Sequence, residues 1–274
     1  MSKFIQSAIV CVFAFFSLNL SGQTKPFPQN VTYPYGYKPA TISSSHAQNE
    51  YTKLKTSYLV TCGNNVRPVA DVKDNTNSES MGSVMLVAAY QGDKAIYDKL
   101  LNFYKSKRSS SANNMMAWKV NCGGILDAGS ITDADIDVAF SLIIAHIQWR
   151  ENYLDDAKTI IGILKSSVIT DCSGIKALKA GYGYGGCNET NISYYTPAFF
   201  RVFAQVTNDN TWTALADDTY TLLSRAANAT TGLVPDWQSV AGGAATGGRG
   251  LNYQYDACRV PWRIALDYLW NGKT

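Results

Sequence analysis

The chain has 274 residues, enough for one large domain with a sizeable core, and it is 46% hydrophobic against 16% charged. Its net charge of +3 comes without any basic block, which gives no electrostatic footprint for nucleic acid. The only histidines are His46 and His146, and no Cys-x-x-Cys occurs, so neither a zinc site nor a Ser–His–Asp triad is well supplied and no cofactor is expected.

In chain order, Lys3, an apolar run from Phe4 to Leu20 and small residues at Ser21 and Gly22 predict a secretory signal over residues 1–22, with cleavage near Gly22–Gln23. No later stretch is long and apolar enough to span a membrane. Removal of Cys11 leaves Cys62, Cys122, Cys172, Cys187 and Cys258; an exported chain can oxidise them, and an odd number leaves at least one unpaired. Cys172 with Cys187, flanking a Gly/Tyr loop, is the favoured pair.

Residues 23–45 read as extended, followed by a helix over 47–60. The stretch 60–77 reads as loop. Ser78, as N-cap, opens the helix SESMGSVMLVAAY. Gly92-Asp93 breaks it, and an amphipathic helix follows over 94–106. Residues 109–130 are irregular apart from Met115–Trp118. A helix over 131–149 then carries Asp133, Asp135 and Asp137 in its first turns, with Thr132 as N-cap. Acids there suit the helix dipole whether or not they do chemistry. Its partner runs over 153–166. Residues 170–190 read as a Gly/Tyr-rich loop, 193–206 and 211–227 as a helical pair, and 233–251 as a Trp-bearing, then Gly-rich, flexible loop. A last helix spans 257–270 and tolerates Pro261 in its first turn. Helical periodicity assigns Trp149, Trp212, Trp262 and Trp270 to the core. Eight helices, mostly paired, with long loops after every second one, predict an all-α toroid of helical hairpins and no competing strands.

Five stretches in order resemble glycoside hydrolase family 8: Ser78-Glu79-Ser80-Met81-Gly82, Thr132-Asp133-Ala134-Asp135 with Gln148-Trp149, Asn191-Ile192-Ser193-Tyr194-Tyr195, Gly232-Leu233-Val234-Pro235-Asp236-Trp237, and Tyr255-Asp256-Ala257-Cys258-Arg259-Val260-Pro261-Trp262-Arg263. The resemblance implies an (α/α)6 barrel over residues 23–274. Only eight of its twelve helices can be counted, so the ring is expected to be incomplete at the C-terminal end. It also implies an inverting, endo-acting, secreted and monomeric hydrolase whose partner is a polysaccharide, cellulose-like β-1,4-glucan in the first instance. Xylan and chitosan are same-family alternatives, and a non-catalytic carbohydrate-binding remnant is the alternative from another class. Inverting hydrolysis needs one carboxylic acid to protonate the leaving oxygen and one carboxylate, roughly 6.5–9.5 Å away, to activate water. By resemblance Glu79 is the acid and Asp256 the base, while Asp133 grips the sugar at the cleavage point. Glu79 lies in a first helical turn, where the dipole lowers its pKa, so burial or a neighbouring carboxylate must keep it protonated. Arg259 is placed to orient Asp256. Tyr194 and Tyr255 adjoin the same centre, and Trp118 and Trp237 are candidate stacking platforms for sugar rings. Asp135 and Asp137 are read as structural. Ser80, Ser83-Val84 and Ile192 depart from the family pattern.

Overall fold

The computed structural model describes residues 25–29, 32–37, 39–70 and 74–273; the signal over 1–22 lies outside them. Eight α-helices dominate: α1 (Ser44–Tyr58), α2 (Ser78–Tyr90), α3 (Lys94–Ser106), α4 (Thr132–Trp149), α5 (Tyr153–Val168), α6 (Pro197–Thr207), α7 (Asn210–Ala226) and α8 (Val260–Asn271). Helices α2, α4, α6 and α8 run side by side as an inner arc, with α3, α5 and α7 paired behind the first three. Each outer helix returns the chain, so every inner helix starts at the same rim. That rim collects all five motifs.

Helix α4 is the centre of the arc. Fifteen of its 18 residues are buried, including Ile136, Phe140 and Ile143, because it packs against α2 on one side and α5 on another. At Gly82 the α2 backbone touches α4: a Cβ built there would lie 2.5 Å from the Ala134 carbonyl oxygen and 3.2 Å from the Asp137 Cβ. Glycine at this position therefore sets how closely the starts of α2 and α4 approach. Phe140 stacks on Phe199 with ring centroids 3.7 Å apart, and Trp212 sits among Phe200 and Phe203. Trp149 and Trp212 are buried and Trp270 packs on the core. Trp262 departs from expectation at 43% exposed. It stands in the first turn of α8 and lines an apolar groove of about 600 Å³ with Phe27, Leu86, Tyr90 and Trp270.

Short strands, not expected from the sequence, shape the loops. β1 (Leu59–Cys62) pairs with β2 (Asn65–Pro68) directly after α1; β3 (Thr76–Asn77) precedes α2. β4 (Arg108–Ser109) and β5 (Met115–Met116) pair, and β6 (Lys119–Val120) joins β3 to β7 (Ile125–Asp127). After α5 come β8 (Ile169–Cys172) and its partner β9 (Ile175–Leu178); β10 (Thr190–Asn191) pairs with β11 (Trp237–Gln238). These ladders are two to four residues long, too short for a period-2 pattern to register.

The β1–β2 and β8–β9 hairpins repeat one device. Each follows a helix, and the last residue of its first strand is a disulfide cysteine: Cys62 with Cys122 and Cys172 with Cys187. The expected Cys172–Cys187 bridge is present, a second accompanies it, and Cys258 is free and exposed. Each bridge ties a loop at the motif-bearing rim to the scaffold.

Several helix starts differ from the sequence reading. Asn77, not Ser78, caps α2, accepting from the Ser80 N–H at 2.9 Å. The Ser78 N–H instead donates to the Trp118 carbonyl. Ile131, not Thr132, is the N-cap position of α4. The Thr132 hydroxyl donates to the Lys179 carbonyl at 2.7 Å, because β9 and the turn after it run past this helix end. The expected helix start at Ser193 is a 3-10 turn over Ile192–Tyr194, and α6 begins at Pro197.

Candidate active site

Glu79 is the second residue of α2, one turn before Gly82. With no Cβ at Gly82, the two helix starts meet, and the charge of Asp133 bears on the Glu79 carboxyl. Burial, reinforced by Asp133, pushes Glu79 up to about 7 from the ordinary value near 4.5, and overcomes the backbone and Ser78 hydrogen bonds that favour ionisation. The requirement set by its place in a first turn is thus met by both expected causes.

Asp133 is 2% exposed at the start of α4. Its Oδ2 accepts from Arg259 Nη1 at 3.0 Å. Its Oδ1 is buried and has no hydrogen-bond partner among the described residues. Burial raises its pKa, and the guanidinium of Arg259 opposes that rise. Arg259, on the 3-10 turn Ala257–Arg259 that leads into α8, also donates through Nη2 to Asp256 Oδ1 at 2.7 Å and to Ser193 Oγ at 2.8 Å. One guanidinium therefore orients two carboxylates that lie 123 residues apart in sequence. The other oxygen of Asp256 accepts from Asn191 Nδ2 at 2.6 Å. The Asn191 side-chain oxygen is held in turn by Ser193, from its N–H at 3.0 Å and its hydroxyl at 2.7 Å. Asn191 is fully buried, and its amide has no choice of orientation that satisfies both neighbours differently.

Asp236 braces the same turn. Its Oδ1 accepts from the Gln254 and Ala257 N–H groups at 3.0 and 2.8 Å, and its carbonyl accepts from the Ile192 N–H. The Pro-Asp-Trp stretch thereby sets the position of Asp256.

The aromatic candidates divide. Trp118 is 37% exposed and lines a cavity of about 370 Å³ with Trp237, Tyr184, Tyr194 and Arg249. The β3–β6 pairing places it, since its carbonyl accepts from the N–H of Ser78 beside Glu79. Trp237 sits on β11, where Asn191 is its strand partner, and its ring meets Tyr194 edge-on at 6.2 Å. The buried Tyr194 ring lies 5.7 Å from the Arg259 guanidinium. Burial and the charge of Asp133 hold its hydroxyl neutral, well above the usual tyrosine range. Tyr255 is 92% exposed and makes no side-chain contact with the cluster. Tyr184 and Asn191 were not singled out in the sequence. Tyr184 is close enough for Glu79 and Asp133 to raise its pKa after burial does so, and its hydroxyl donates to the Ser130 carbonyl at 3.2 Å. The signal for Asn191 was its place in the Asn191–Tyr195 motif; Tyr184 had only its Gly-rich surroundings.

Asp135 turns away from this cluster. It accepts a 2.6 Å bond from the Tyr104 hydroxyl and two longer ones from the Met116 N–H. Asp137 lies 3.6 Å from Arg263, which is itself buried. Among the described residues no group of three or more His, Cys, Asp or Glu side chains has the arrangement of a metal site. No helix there is long and apolar enough to cross a membrane.

Fold and site together define an α/α toroid with a carboxylate cluster on one rim, beside a cavity walled by aromatic rings. A model of the glycosyl hydrolases family 8 matches residues 26–274. The chain belongs to that family. Endoglucanase 2 of Ruminiclostridium josui is 36% identical over 264 residues, which cover 90% of this chain and 56% of the relative, so the chain spans little more than half of that protein. The beta-glucanase of Niallia circulans is 30% identical over 304 residues, covering 97% of this chain and 73% of the relative. Among solved structures, the apo beta-1,3-1,4-glucanase from Paenibacillus sp. X4 superposes with a TM-score of 0.79 at 30% identity, over 91% of this chain and 74% of that one.

Proposed function

We propose that the protein is a secreted, inverting glycoside hydrolase that cleaves β-1,4-linked glucan, with Glu79 as general acid, Asp256 as general base and Asp133 as the residue that grips the sugar at the cleavage point. The observation that carries this reading is the contrast between Glu79 and Asp256. Glu79 is buried beside Asp133 with its pKa up at about 7, whereas Asp256 is partly exposed and held by Arg259 and Asn191, both donating. Burial beside another carboxylate favours the protonated, donating form of Glu79, and the two donors hold the Asp256 carboxylate in a fixed orientation.

In the reaction, the Glu79 carboxyl gives its proton to the glycosidic oxygen as the C–O bond breaks. Asp256 removes a proton from water as the water oxygen bonds to the anomeric carbon on the opposite face. Each oxygen of Asp256 accepts one bond, Oδ1 from Arg259 and Oδ2 from Asn191, and each has a second lone pair, which leaves Asp256 able to accept from water. The unpartnered Oδ1 of Asp133 is a ready acceptor for a sugar hydroxyl. The endoglucanase and beta-glucanase relatives support a β-glucan as substrate. Secretion is supported by two disulfides, which persist in oxidising surroundings.

The test is reducing-sugar release from carboxymethylcellulose and lichenan, with NMR of the first-formed anomer. Glu79→Gln and Asp256→Asn each lower kcat by about 10³-fold. Binding without sugar release would overturn the enzymatic reading; retained anomeric configuration would overturn the inverting one.

A further inference from the structure

The Gly-rich loop after Trp237 reads as flexible in sequence, yet the structure stitches it down. The Val240 N–H donates to the Cys187 carbonyl and the Thr246 N–H to the Asn188 carbonyl, while Cys187 is itself tied to Cys172. From this loop Arg249 reaches over Trp237, its guanidinium carbon 3.9 Å from the ring centroid. Its Nε pairs with Glu189 Oε1 at 2.8 Å. The Nη atoms have no protein partner among the described residues, although they carry four N–H donors. Arg249 and Asp127 are the charged residues that line the cavity shared with Trp118, Tyr184 and Trp237. Asp127 is turned back on its own loop, accepting from the Gly129 N–H at 2.9 Å. The contact with the Trp237 ring and the Glu189 pair hold the guanidinium from two sides, which restricts the directions its free donors can take.

We propose that Arg249 is a sugar-binding residue that sets the charge preference of this cleft, offering its Nη donors to oxygens of the glycan and most strongly to a carboxylate substituent. The cleft then takes neutral and carboxylate-bearing β-glucans and rejects a cationic amino-glycan. This rests on the reading that the cleft binds β-glycan. A guanidinium offers donors only, so it pairs with hydroxyl and carboxylate oxygens and repels an ammonium.

The experiment compares carboxymethylcellulose with hydroxyethylcellulose for wild type, Arg249→Gln and Arg249→Lys, by kcat/KM and by tryptophan-fluorescence binding. Arg249→Gln is expected to lower kcat/KM about tenfold on the anionic polymer and about threefold on the neutral one, mainly through KM. Arg249→Lys keeps the ratio between polymers but weakens both. Raising salt to ~0.5 M lowers the wild-type ratio and leaves that of Arg249→Gln unchanged. An equal fall on both polymers, insensitive to salt, would make Arg249 a loop anchor only and overturn the proposal. No change on either would remove it from the cleft. If wild type binds both polymers without cleaving them, the hydrolase reading fails, and the ratio of binding constants still decides Arg249. If it binds neither, both readings fall.

Discussion

Asp133 and Asp135 stand two residues apart at the start of α4, both buried, and face opposite fates. Asp133 points to the rim, where its partner Arg259 also holds Asp256 and one of its own oxygens is left without a bond. Asp135 points into the protein, where the Tyr104 hydroxyl and the Met116 N–H occupy it. Burial raises the pKa of both. Burial by itself therefore does not mark an acid as a site candidate. What separates them is whether the partners complete the carboxylate or leave it an open acceptor beside other titratable groups.

The sharpest way to break the comparison is to truncate each acid. Asp133→Ala is expected to lower kcat/KM by about 10³-fold with little change in thermal midpoint, since Arg259 keeps Asp256 as a partner. Asp135→Ala is expected to do the reverse. It strands the Tyr104 hydroxyl and the Met116 N–H and destabilises by about 3 kcal/mol, read by urea unfolding, and kcat of the folded fraction is retained. If both variants lose stability equally and keep activity, the functional division of α4 is wrong.

Gly82→Ala tests the approach of α2 to α4 behind both acids. A methyl group there meets backbone, not a side chain that can swing away, so we expect a loss of about 2 kcal/mol in urea unfolding. The displacement of Glu79 from Asp133 should also shift the alkaline limb of activity to lower pH, since the nearby carboxylate helps to keep Glu79 protonated.

The smallest effect is on the pH dependence of stability. Burial places Glu79 and Asp135 at about 7 and Asp137 at about 6 in the folded state, against ordinary values near 4 in the unfolded chain. The folded state thus binds more protons between roughly pH 4 and 7. Its extra stability is complete below that window and is lost as pH rises through it. The thermal midpoint should therefore be about 5 °C higher at pH 5 than at pH 8. Glu79→Gln should flatten that slope while lowering kcat by about 10³-fold. A midpoint that rises with pH would mean that these carboxyls are ionised in the fold.

Much of the architecture was legible in the sequence. The eight helices announce themselves through 3.6-residue periodicity and breakers such as Gly92-Asp93, and helix pairing follows from short connections. The Cys172–Cys187 bridge was readable because only 15 residues separate its ends. Cys62–Cys122 closes a span of 60 residues, and nothing local links its two halves. The short strands were invisible for a related reason: each pairs over two to four residues, and its partner, not its own pattern, makes it a strand.

The motifs also marked where the chemistry-bearing residues of the rim lie, because the type and order of residues survive in one dimension. Glu79, Asp133, Asp256 and Arg259 were all named from sequence. That one arginine joins Asp133 to Asp256, that Asn191 holds the base candidate, that Tyr255 faces outward and that Arg249 reaches over Trp237 were decided by the tertiary structure alone. Those are relations between side chains brought together from 12 to 126 positions apart. Periodicity and capping act over one or two helical turns. They place each residue on its element, and only the packing of α2 against α4, with the loops bolted to them, decides which partner each carboxylate meets.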